Sequence, residues 1–181
     1  MNIWKDVPSG DNPPRLLNVI LEVTTGSRDK YEYDLKLEMF VLNRIIPSSV
    51  VFPVEYGFVP QTLSIDEDPL DIMVMSYEPL QVGCLVKARV IGALVTEDEN
   101  GEDPKILSVP VNDFRFDDYQ DIWQIHPNKL REIQEFFETY KRLEPTKFVK
   151  IKEWLNYEKT KVIVTTAMDR FKQLVSTKPT E

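Results

Sequence analysis

The chain has 181 residues, 42% of them hydrophobic and 29% charged, a composition typical of a globular protein large enough to bury a core. Its formal net charge of −8 argues against general binding to nucleic acid or to an anionic membrane, because both attract a basic surface. The single cysteine, Cys84, cannot form a disulfide within the chain, and the single histidine, His126, argues against a histidine-rich metal site.

Targeting and spanning signals are missing from the sequence. No stretch has the apolar length of a membrane span, and the first six residues lack the apolar run of a signal peptide. No internal repeat or linker divides the chain. We therefore expect a cytoplasmic protein with one domain over residues 1–181.

The first two thirds of the chain carry the apolar patterns that predict strands. An irregular arm of fifteen residues comes first, and Glu22 is expected on the face of the first strand opposite its alternate apolar residues. Asn100-Gly101 is a tight-turn signal, so the acidic segment around it is predicted to be a hairpin tip. Strands are predicted at 16–23, 30–34, 40–46, 72–76, 85–95 and 106–111, with an extended aromatic segment at 50–60.

The last third is predicted to be more helical. A first helix begins at His126-Pro127-Asn128, because proline suits the first turn, and Lys141 and Arg142 would lie in its last turn. Its apolar residues at helical spacing are Leu130, Ile133, Phe136, Phe137, Tyr140 and Leu143. A short strand at 147–154 and a frayed end at 176–181 flank a second amphipathic helix at 156–175. That helix would turn inward Val164, Met168, Phe171 and Val175.

Acidic residues are concentrated in two segments, Asp66–Asp71 and 97–105. The first precedes the apolar run 72–75, so its carboxylates lie at the leading edge of a predicted buried strand. Like charges this close cost free energy unless a cation neutralises them, and clustered carboxylates suit Mg²⁺ or Mn²⁺. In an extended segment Asp66 and Asp68 point the same way, and the turn at Pro69 lets Asp71 rejoin them. Taken alone, each segment is more typical of a solvated acidic loop.

Six segments in this order and spacing closely resemble the soluble family I inorganic pyrophosphatases of the short bacterial and archaeal type. The resemblance covers nearly the whole chain, with departures at Glu67, where a small residue is usual, and at Phe52, where tyrosine is frequent. The matching segments are Lys30-Tyr31-Glu32-Tyr33-Asp34, Arg44, Glu55-Tyr56-Gly57-Phe58, Asp66–Asp71, Asp98–Lys105 and Phe136–Lys141.

The resemblance implies a fold that is α+β but mainly β: a closed, OB-like five-stranded β-barrel flanked by two helices in the C-terminal half. It also implies a homohexamer. The activity it implies is metal-dependent hydrolysis of inorganic pyrophosphate to two orthophosphates, by direct attack of a metal-activated water. Several Mg²⁺ ions would serve each site, with Mn²⁺, Zn²⁺ or Co²⁺ as possible substitutes.

The resemblance also implies a role for individual residues. Asp68 would be the general base for the attacking water, and Asp71 would bridge two metal ions. The metal ligands would be Asp66, Asp71, Asp98 and Asp103. The substrate-binding residues would be Lys30, Arg44, Tyr56, Tyr140, Lys141 and Lys105, the last of which would balance the carboxylates or contact phosphate. Glu22 and Glu32 would be acids outside the direct metal ligands.

Three other classes of protein fit the sequence less well. A non-catalytic OB-type module that binds phosphate or nucleotide would use a basic groove with exposed aromatic residues, whereas the expected groove here is acidic. A Ca²⁺-binding structural protein would need an EF-hand loop, and a nucleotide-dependent phosphotransferase a Gly-rich P-loop; neither pattern is present. Without the family match, Asp68 could be an outer carboxylate, Lys141 a charge at a helix end and Tyr140 a core residue.

Overall fold

The computed structural model describes residues 1–176, so the predicted frayed end at 176–181 lies outside the described residues except for Ser176. Eight strands and three α-helices follow in chain order: α1 (Ile3–Asp6), β1 (Leu16–Val23), β2 (Asp29–Asp34), β3 (Met39–Ile45), β4 (Glu55–Val59), β5 (Leu70–Val74), β6 (Leu85–Asp98), β7 (Gly101–Pro110), α2 (Pro127–Thr139), β8 (Lys150–Asn156) and α3 (Tyr157–Ser176). Two short 3₁₀ turns, Phe114–Phe116 and Ile122–Gln124, lie between β7 and α2.

Five strands form a closed ring in the order β1-β4-β5-β7-β6, because β6 pairs back with β1. All of these pairings are antiparallel except β5 with β7, and β8 extends the sheet from β6. The predicted OB-like five-stranded barrel is therefore confirmed. None of the helices within residues 1–176 combines the length and apolarity that a membrane crossing requires.

Strand β1 is buried on both faces, which the alternating pattern did not predict. Every residue after Leu16 is buried, including Glu22, because one face meets the barrel interior and the other is also covered. Its neighbour β4 comes close at Gly57, where a Cβ would lie 2.0 Å from the Ile20 carbonyl oxygen. Only glycine fits this approach, which holds the adjacent Tyr56 in register.

The two long helices close the barrel with apolar faces of the predicted kind. Ile133, Phe136 and Phe137 of α2 are buried, as are Val164 and Phe171 of α3. Burying each large side chain contributes about 1.5–3 kcal/mol. The proline-led start of α2 is confirmed, and His126 caps it by accepting a hydrogen bond at Nδ1 from the Asn128 amide, at 3.2 Å.

The ends of both helices differ from the prediction. Helix α2 stops at Thr139, so Lys141 and Arg142 lie in the turn after the helix rather than in its last turn. Leu143 is 63% exposed because helical spacing no longer sets its direction beyond that point. In α3 the buried face continues through Leu174, and Val175 is exposed instead of buried.

The N-terminal arm was predicted to be irregular, but it contains one helical turn, α1. The Asn2 side chain caps α1 by accepting a hydrogen bond from the Lys5 amide at 2.9 Å. The turn is retained because Trp4 is buried edge-on against Phe171, with 5.2 Å between ring centroids. A contact between residues this far apart in the chain leaves no local signal in the sequence.

Strands β2 and β3 form a separate two-stranded sheet outside the barrel. Lys30 lies opposite Arg44 near the open end of this hairpin. The hairpin is fastened to the barrel where the Tyr33 amide donates a hydrogen bond to Glu22 Oε1 on β1, at 2.7 Å. This contact carries the basic residues of β2 and β3 to the barrel wall.

The second acidic segment is a tight hairpin between β6 and β7, as predicted. Asp98 lies opposite Gly101, and Thr96 opposite Asp103. Both strands run further than predicted, so Asp98 and Asp103 are strand residues rather than loop residues. Similarly β5 begins at Leu70, which places Asp71 on a strand.

Candidate active site

One cavity of about 260 Å³ has all thirteen predicted site residues on its wall. They come from β1, the β2–β3 hairpin, β4, β5 with its preceding loop, β6, β7 and the turn after α2. The thirteen are Glu22, Lys30, Glu32, Arg44, Tyr56, Asp66, Asp68, Asp71, Asp98, Asp103, Lys105, Tyr140 and Lys141. Segments scattered over 120 residues of sequence thus meet at one end of the barrel.

Lys105 lies at the base of this cavity, with only 4% of its side chain exposed. Its Nζ lies 2.8 Å from Asp71 Oδ2, 2.7 Å from Asp103 Oδ2 and 3.0 Å from the Tyr56 hydroxyl. Asp103 and Lys105 share a face of β7 because side chains alternate along a strand, and the parallel β5–β7 pairing brings Asp71 alongside. Burial opposes the charge of Lys105, but Asp71, Tyr56 and Asp103 outweigh it and raise its pKa well above the ordinary value.

The two carboxylates that contact Lys105 have pKa values shifted in opposite directions. Burial acts to raise the pKa of Asp71, but Lys105 and a hydrogen bond from the Tyr56 hydroxyl outweigh it and hold that pKa below its ordinary value. Asp103 also contacts Lys105, yet burial raises its pKa. The Tyr56 hydroxyl donates to Asp71, whereas the neighbouring charges of Asp71 and Asp66 add to burial in raising the pKa of Asp103.

Asp66 and Asp68 lie in the loop that leads into β5. Asp66 Oδ1 accepts a hydrogen bond from the Asp68 amide at 3.2 Å, which turns the loop. Partial enclosure by the cavity, followed by the charges of Asp66 and Asp71, raises the pKa of Asp68 to about 6. Within residues 1–176 no cation forms an ion pair with Asp68, so its carboxylate faces the cavity without a partner.

Glu67, the departure between these aspartates, has a φ of +70°. A residue with a Cβ pays about 1–2 kcal/mol for this left-handed conformation, and glycine would avoid that cost. Glycine would also increase the entropy of the unfolded chain, which cancels part of the stabilisation. We expect Glu67→Gly to raise the free energy of unfolding by about 0.5 kcal/mol, measured by urea denaturation in EDTA. Glu67→Ala is the control, since it removes the charge and keeps the Cβ. Equal gains in both variants would show charge repulsion, and not the backbone, to be the cause.

Glu22 is buried on β1, 7% exposed, and accepts the hydrogen bond from the Tyr33 amide. Burial, with a smaller contribution from Asp71, raises its pKa to about 8. Its proton is therefore bound more tightly in the folded state than in the unfolded chain.

This shift predicts how the metal-free protein responds to pH. Between about pH 4.5 and about pH 8 the carboxyl of Glu22 is protonated in the folded state and ionised in the unfolded chain. Because the folded state then binds more protons than the unfolded chain, its stability falls as pH rises through this window. In EDTA the melting temperature should fall across this window, and Glu22→Gln should remove part of that fall. Melting curves at half-unit pH steps test this, and an unchanged slope in Glu22→Gln would contradict it.

Lys141 and Tyr140 follow the end of α2. Lys141 Nζ lies 2.9 Å from Asp98 Oδ2 and 3.8 Å from Glu99 Oε1. Burial alone would raise the pKa of Asp98, but hydrogen bonds from Lys141 and the Asn100 amide outweigh it and lower that pKa. Tyr140 is buried and stacks on Phe136, with 5.1 Å between ring centroids, so it is a core residue that also lines the cavity.

The hairpin of β2 and β3 brings three further charged residues to the cavity wall: Lys30, Glu32 and Arg44. Lys30 Nζ donates to Glu32 Oε1, and Asn43 Nδ2 donates to Glu32 Oε2 at 2.6 Å. Arg44 Nε lies 3.3 Å from Glu144 Oε1, in the turn after α2. Each cation of this wall thus has an acidic neighbour.

The donors on the cavity wall suit a divalent metal ion. The cavity wall carries eight carboxylates and five cations, an excess of negative charge that divalent ions would neutralise, and its donors are hard oxygens of the kind that suit Mg²⁺. In residues 1–176 no three His, Cys, Asp or Glu side chains are arranged to hold an ion together. Lys105 and Lys141 bind Asp71, Asp103 and Asp98 instead. The donor chemistry fits a divalent metal, whose binding requires these carboxylates to be shared with the two ammonium groups.

Three polar wall residues were missed as candidates: Glu99, Asn100 and Lys147. Glu99 and Asn100 lie inside the recognised acidic segment, which was itself the available signal. Lys147 lies in an irregular turn with no motif around it. The Phe52 departure leaves packing intact, since its buried ring lies 4.6 Å from Phe136 and 5.5 Å from Tyr56.

Comparison with known proteins gives consistent matches. The family model described as "Inorganic pyrophosphatase" matches residues 19–172. The chain is 38% identical to the inorganic pyrophosphatase of Haloferax volcanii, covering 96% of this chain and 98% of that protein. It is 45% identical to the Thermus thermophilus inorganic pyrophosphatase, covering 83% of this chain and 87% of that protein. The crystal structure of inorganic pyrophosphatase from Thermus thermophilus superposes with a TM-score of 0.92 at 41% identity, covering 95% of this chain and 99% of that one.

Proposed function

Because the chain belongs to the inorganic pyrophosphatase family, we propose that it hydrolyses inorganic pyrophosphate to two orthophosphates with the help of divalent metal ions. The observation that supports this best is the meeting of eight carboxylates and five cations on one cavity wall. Carboxylates can bind metal ions, and the cations can bind an anion with several negative charges. No observation favours the non-catalytic binding module.

Asp66, Asp71, Asp98 and Asp103 would hold the metal ions, with Asp71 shared between two of them. We propose Mg²⁺ as the usual ion, because it prefers carboxylates and retained waters, and Mn²⁺, Zn²⁺ or Co²⁺ as substitutes. When bound, such ions lower the pKa of water and neutralise charge on phosphate. Glu22 and Glu32 would lie outside the direct ligands, where each already binds a group of the hairpin.

Lys30, Arg44 and Lys141 would bind phosphate oxygens by charge, and Tyr56 and Tyr140 would donate hydroxyl hydrogen bonds. Arg44 is suited to bidentate binding. Lys105 has a different role, since its ammonium has three donors and contacts Tyr56, Asp71 and Asp103. We propose that it balances the buried carboxylates, with contact to phosphate as the alternative role.

Asp68 would act as the general base. Its carboxylate lines the cavity without a cation partner in residues 1–176, and its pKa of about 6 lies close to neutral pH, where a base works best. In the reaction a water oxygen forms a bond to one phosphorus while Asp68 accepts the water proton. The bond from that phosphorus to the bridging oxygen breaks, and the second orthophosphate leaves with the bridging oxygen.

The assembly and location are further parts of the proposal. We propose one domain over residues 1–181 that assembles into a cytoplasmic homohexamer, as the resemblance implies. Apolar residues on the outside of the hairpin support an assembly, because exposed apolar patches mark protein interfaces: Leu37, Met39, Leu42 and Ile45 are each more than 50% exposed. Light scattering after gel filtration would measure the number of subunits.

Orthophosphate release tests the proposed activity. With Mg²⁺, we expect pyrophosphate to be hydrolysed at least about a hundredfold faster than ATP, because the resemblance implies a site that closes around two phosphates. Equal rates on the two substrates would contradict the proposal. Binding of pyrophosphate with no orthophosphate release would favour the non-catalytic module instead.

A further inference from the structure

Glu144 lies behind the wall of the cavity, in the turn between α2 and β8. It contacts two cations that line the cavity, Arg44 and Lys147, but it is not itself a lining residue. Its Oε1 lies 3.3 Å from Arg44 Nε, and its Oε2 lies 3.2 Å from Lys147 Nζ. One carboxylate therefore joins a residue of the hairpin to a residue 103 positions further along the chain.

The pair between Arg44 and Glu144 is well enclosed. The side chains are 21% and 15% exposed, and both Arg44 Nε and Glu144 Oε1 are buried atoms. Within residues 1–176 neither atom has a hydrogen-bond partner of good geometry, so each depends on the other for charge compensation. Removing the charge of Glu144 would leave the enclosed Arg44 guanidinium without its ion-pair partner, which differs from the loss of an exposed ion pair.

The arrangement affects how Arg44 can bind phosphate. The ion pair at Nε limits the rotamer freedom of the guanidinium before any substrate arrives, and its terminal nitrogens remain for the cavity apart from a contact of 3.4 Å from Nη1 to Asn43 Oδ1. The carboxylate also reduces the repulsion between Arg44 and Lys147, which share the wall. An anion that binds two cations already fixed in place avoids the entropy of ordering them.

We infer that Glu144 is a positioning residue for pyrophosphate: it holds Arg44 on the cavity wall so that the guanidinium faces the phosphate. This role rests on the proposed function. It adds a residue that contacts neither substrate nor metal and acts through Arg44. A residue that merely tied the hairpin to the turn would stabilise the fold without acting on anion affinity through Arg44.

Glu144→Gln tests the inference, since it keeps the size of the side chain and removes its charge. We expect KM for pyrophosphate to rise about tenfold with kcat within threefold of the wild type, because binding energy is lost and not chemistry. Calorimetry with imidodiphosphate, in which nitrogen replaces the bridging oxygen, should show the same loss of affinity. Glu158→Gln is the matched control, because it breaks an exposed pair with Lys161 on α3 and should leave both constants unchanged.

A double-mutant cycle separates positioning from structural support. In an Arg44→Ala background, Glu144→Gln should weaken imidodiphosphate binding less than twofold, because the group it positions is gone. The same tenfold loss in both backgrounds, or no loss in either, would overturn the inference. If Glu144→Gln fails to fold, Glu144→Asp replaces it in the same double-mutant cycle. We expect Glu144→Asp to weaken imidodiphosphate binding about threefold in the wild-type background and to have no effect in the Arg44→Ala background. If the wild-type protein did not hydrolyse pyrophosphate, the proposed function would be refuted. The double-mutant cycle measured with imidodiphosphate would still decide the role of Glu144.

Discussion

Asp71→Asn and Asp68→Asn should both lose activity, but for different reasons. Asp71→Asn removes charge from a proposed ligand shared by two ions. Mutating a residue that only hydrogen-bonds a metal ligand typically lowers metal affinity about 10–100-fold, so we expect a larger fall in Mg²⁺ affinity here. Asp68→Asn removes the proposed base and leaves the ligands intact, so activity should fall about 10²–10⁴-fold with Mg²⁺ affinity little changed. Mg²⁺ titrations of activity, with calorimetry for binding, measure both.

Rescue experiments distinguish the two defects. Raising Mg²⁺ should recover part of the Asp71→Asn loss, because that defect is partly one of metal occupancy, and should not recover Asp68→Asn. Raising pH should help Asp68→Asn, since a higher hydroxide concentration replaces part of the missing proton acceptor. The control is Asp169→Asn on the exposed face of α3, which breaks a pair with Lys172. Mg²⁺ rescue of Asp68→Asn but not of Asp71→Asn would mean that the two roles are reversed.

The structure adds a folding defect to the expected effects of Asp71→Asn. Asp71 is a partner of buried Lys105 and accepts a hydrogen bond from the Tyr56 hydroxyl. Nothing in the sequence predicts that this aspartate supports the fold, because both partners lie far away along the chain. Melting curves in EDTA should therefore show a loss for Asp71→Asn and none for Asp68→Asn.

Lys105→Met should destabilise the metal-free protein strongly. It leaves Asp71 and Asp103 close together without their shared cation, and removing one partner of a buried ion pair costs about 3–5 kcal/mol. Methionine nearly fills the volume, so the loss comes mainly from charge. Urea denaturation in EDTA measures it, with Lys172→Met on exposed α3 as the control.

Metal should reverse much of this defect. The two carboxylates freed from Lys105 become available to a divalent ion, which replaces the missing positive charge. We expect millimolar Mg²⁺ to raise the melting temperature of Lys105→Met more than that of the wild type. A smaller Mg²⁺ effect in Lys105→Met would contradict the view that Lys105 balances these carboxylates.

Much of the fold could be predicted from neighbouring residues alone. The bounds of β1, the tight hairpin between β6 and β7 and the proline-led start of α2 all depend on residues within a few positions of each other. Side-chain period, turn conformation and helix capping are local properties, so their signals survive in the sequence. The thirteen candidate site residues came from local segments recognised as a family pattern, and the described cavity contains them all.

The contacts that give those residues their properties could not be predicted in this way. Lys105 lies between Asp71 and Asp103, Glu22 binds the hairpin, and Glu144 holds Arg44, and most of these pairs join distant parts of the chain. Which charge meets which depends on how strands pair around the closed barrel and on where the turn after α2 ends. Burial and these contacts together set the pKa of each group, because desolvation and charge both depend on what is packed around the group and not only on its neighbours in sequence. The sequence was therefore sufficient for the list of charged residues, whereas their partners, their protonation and the role of Glu144 follow from the closure of the barrel.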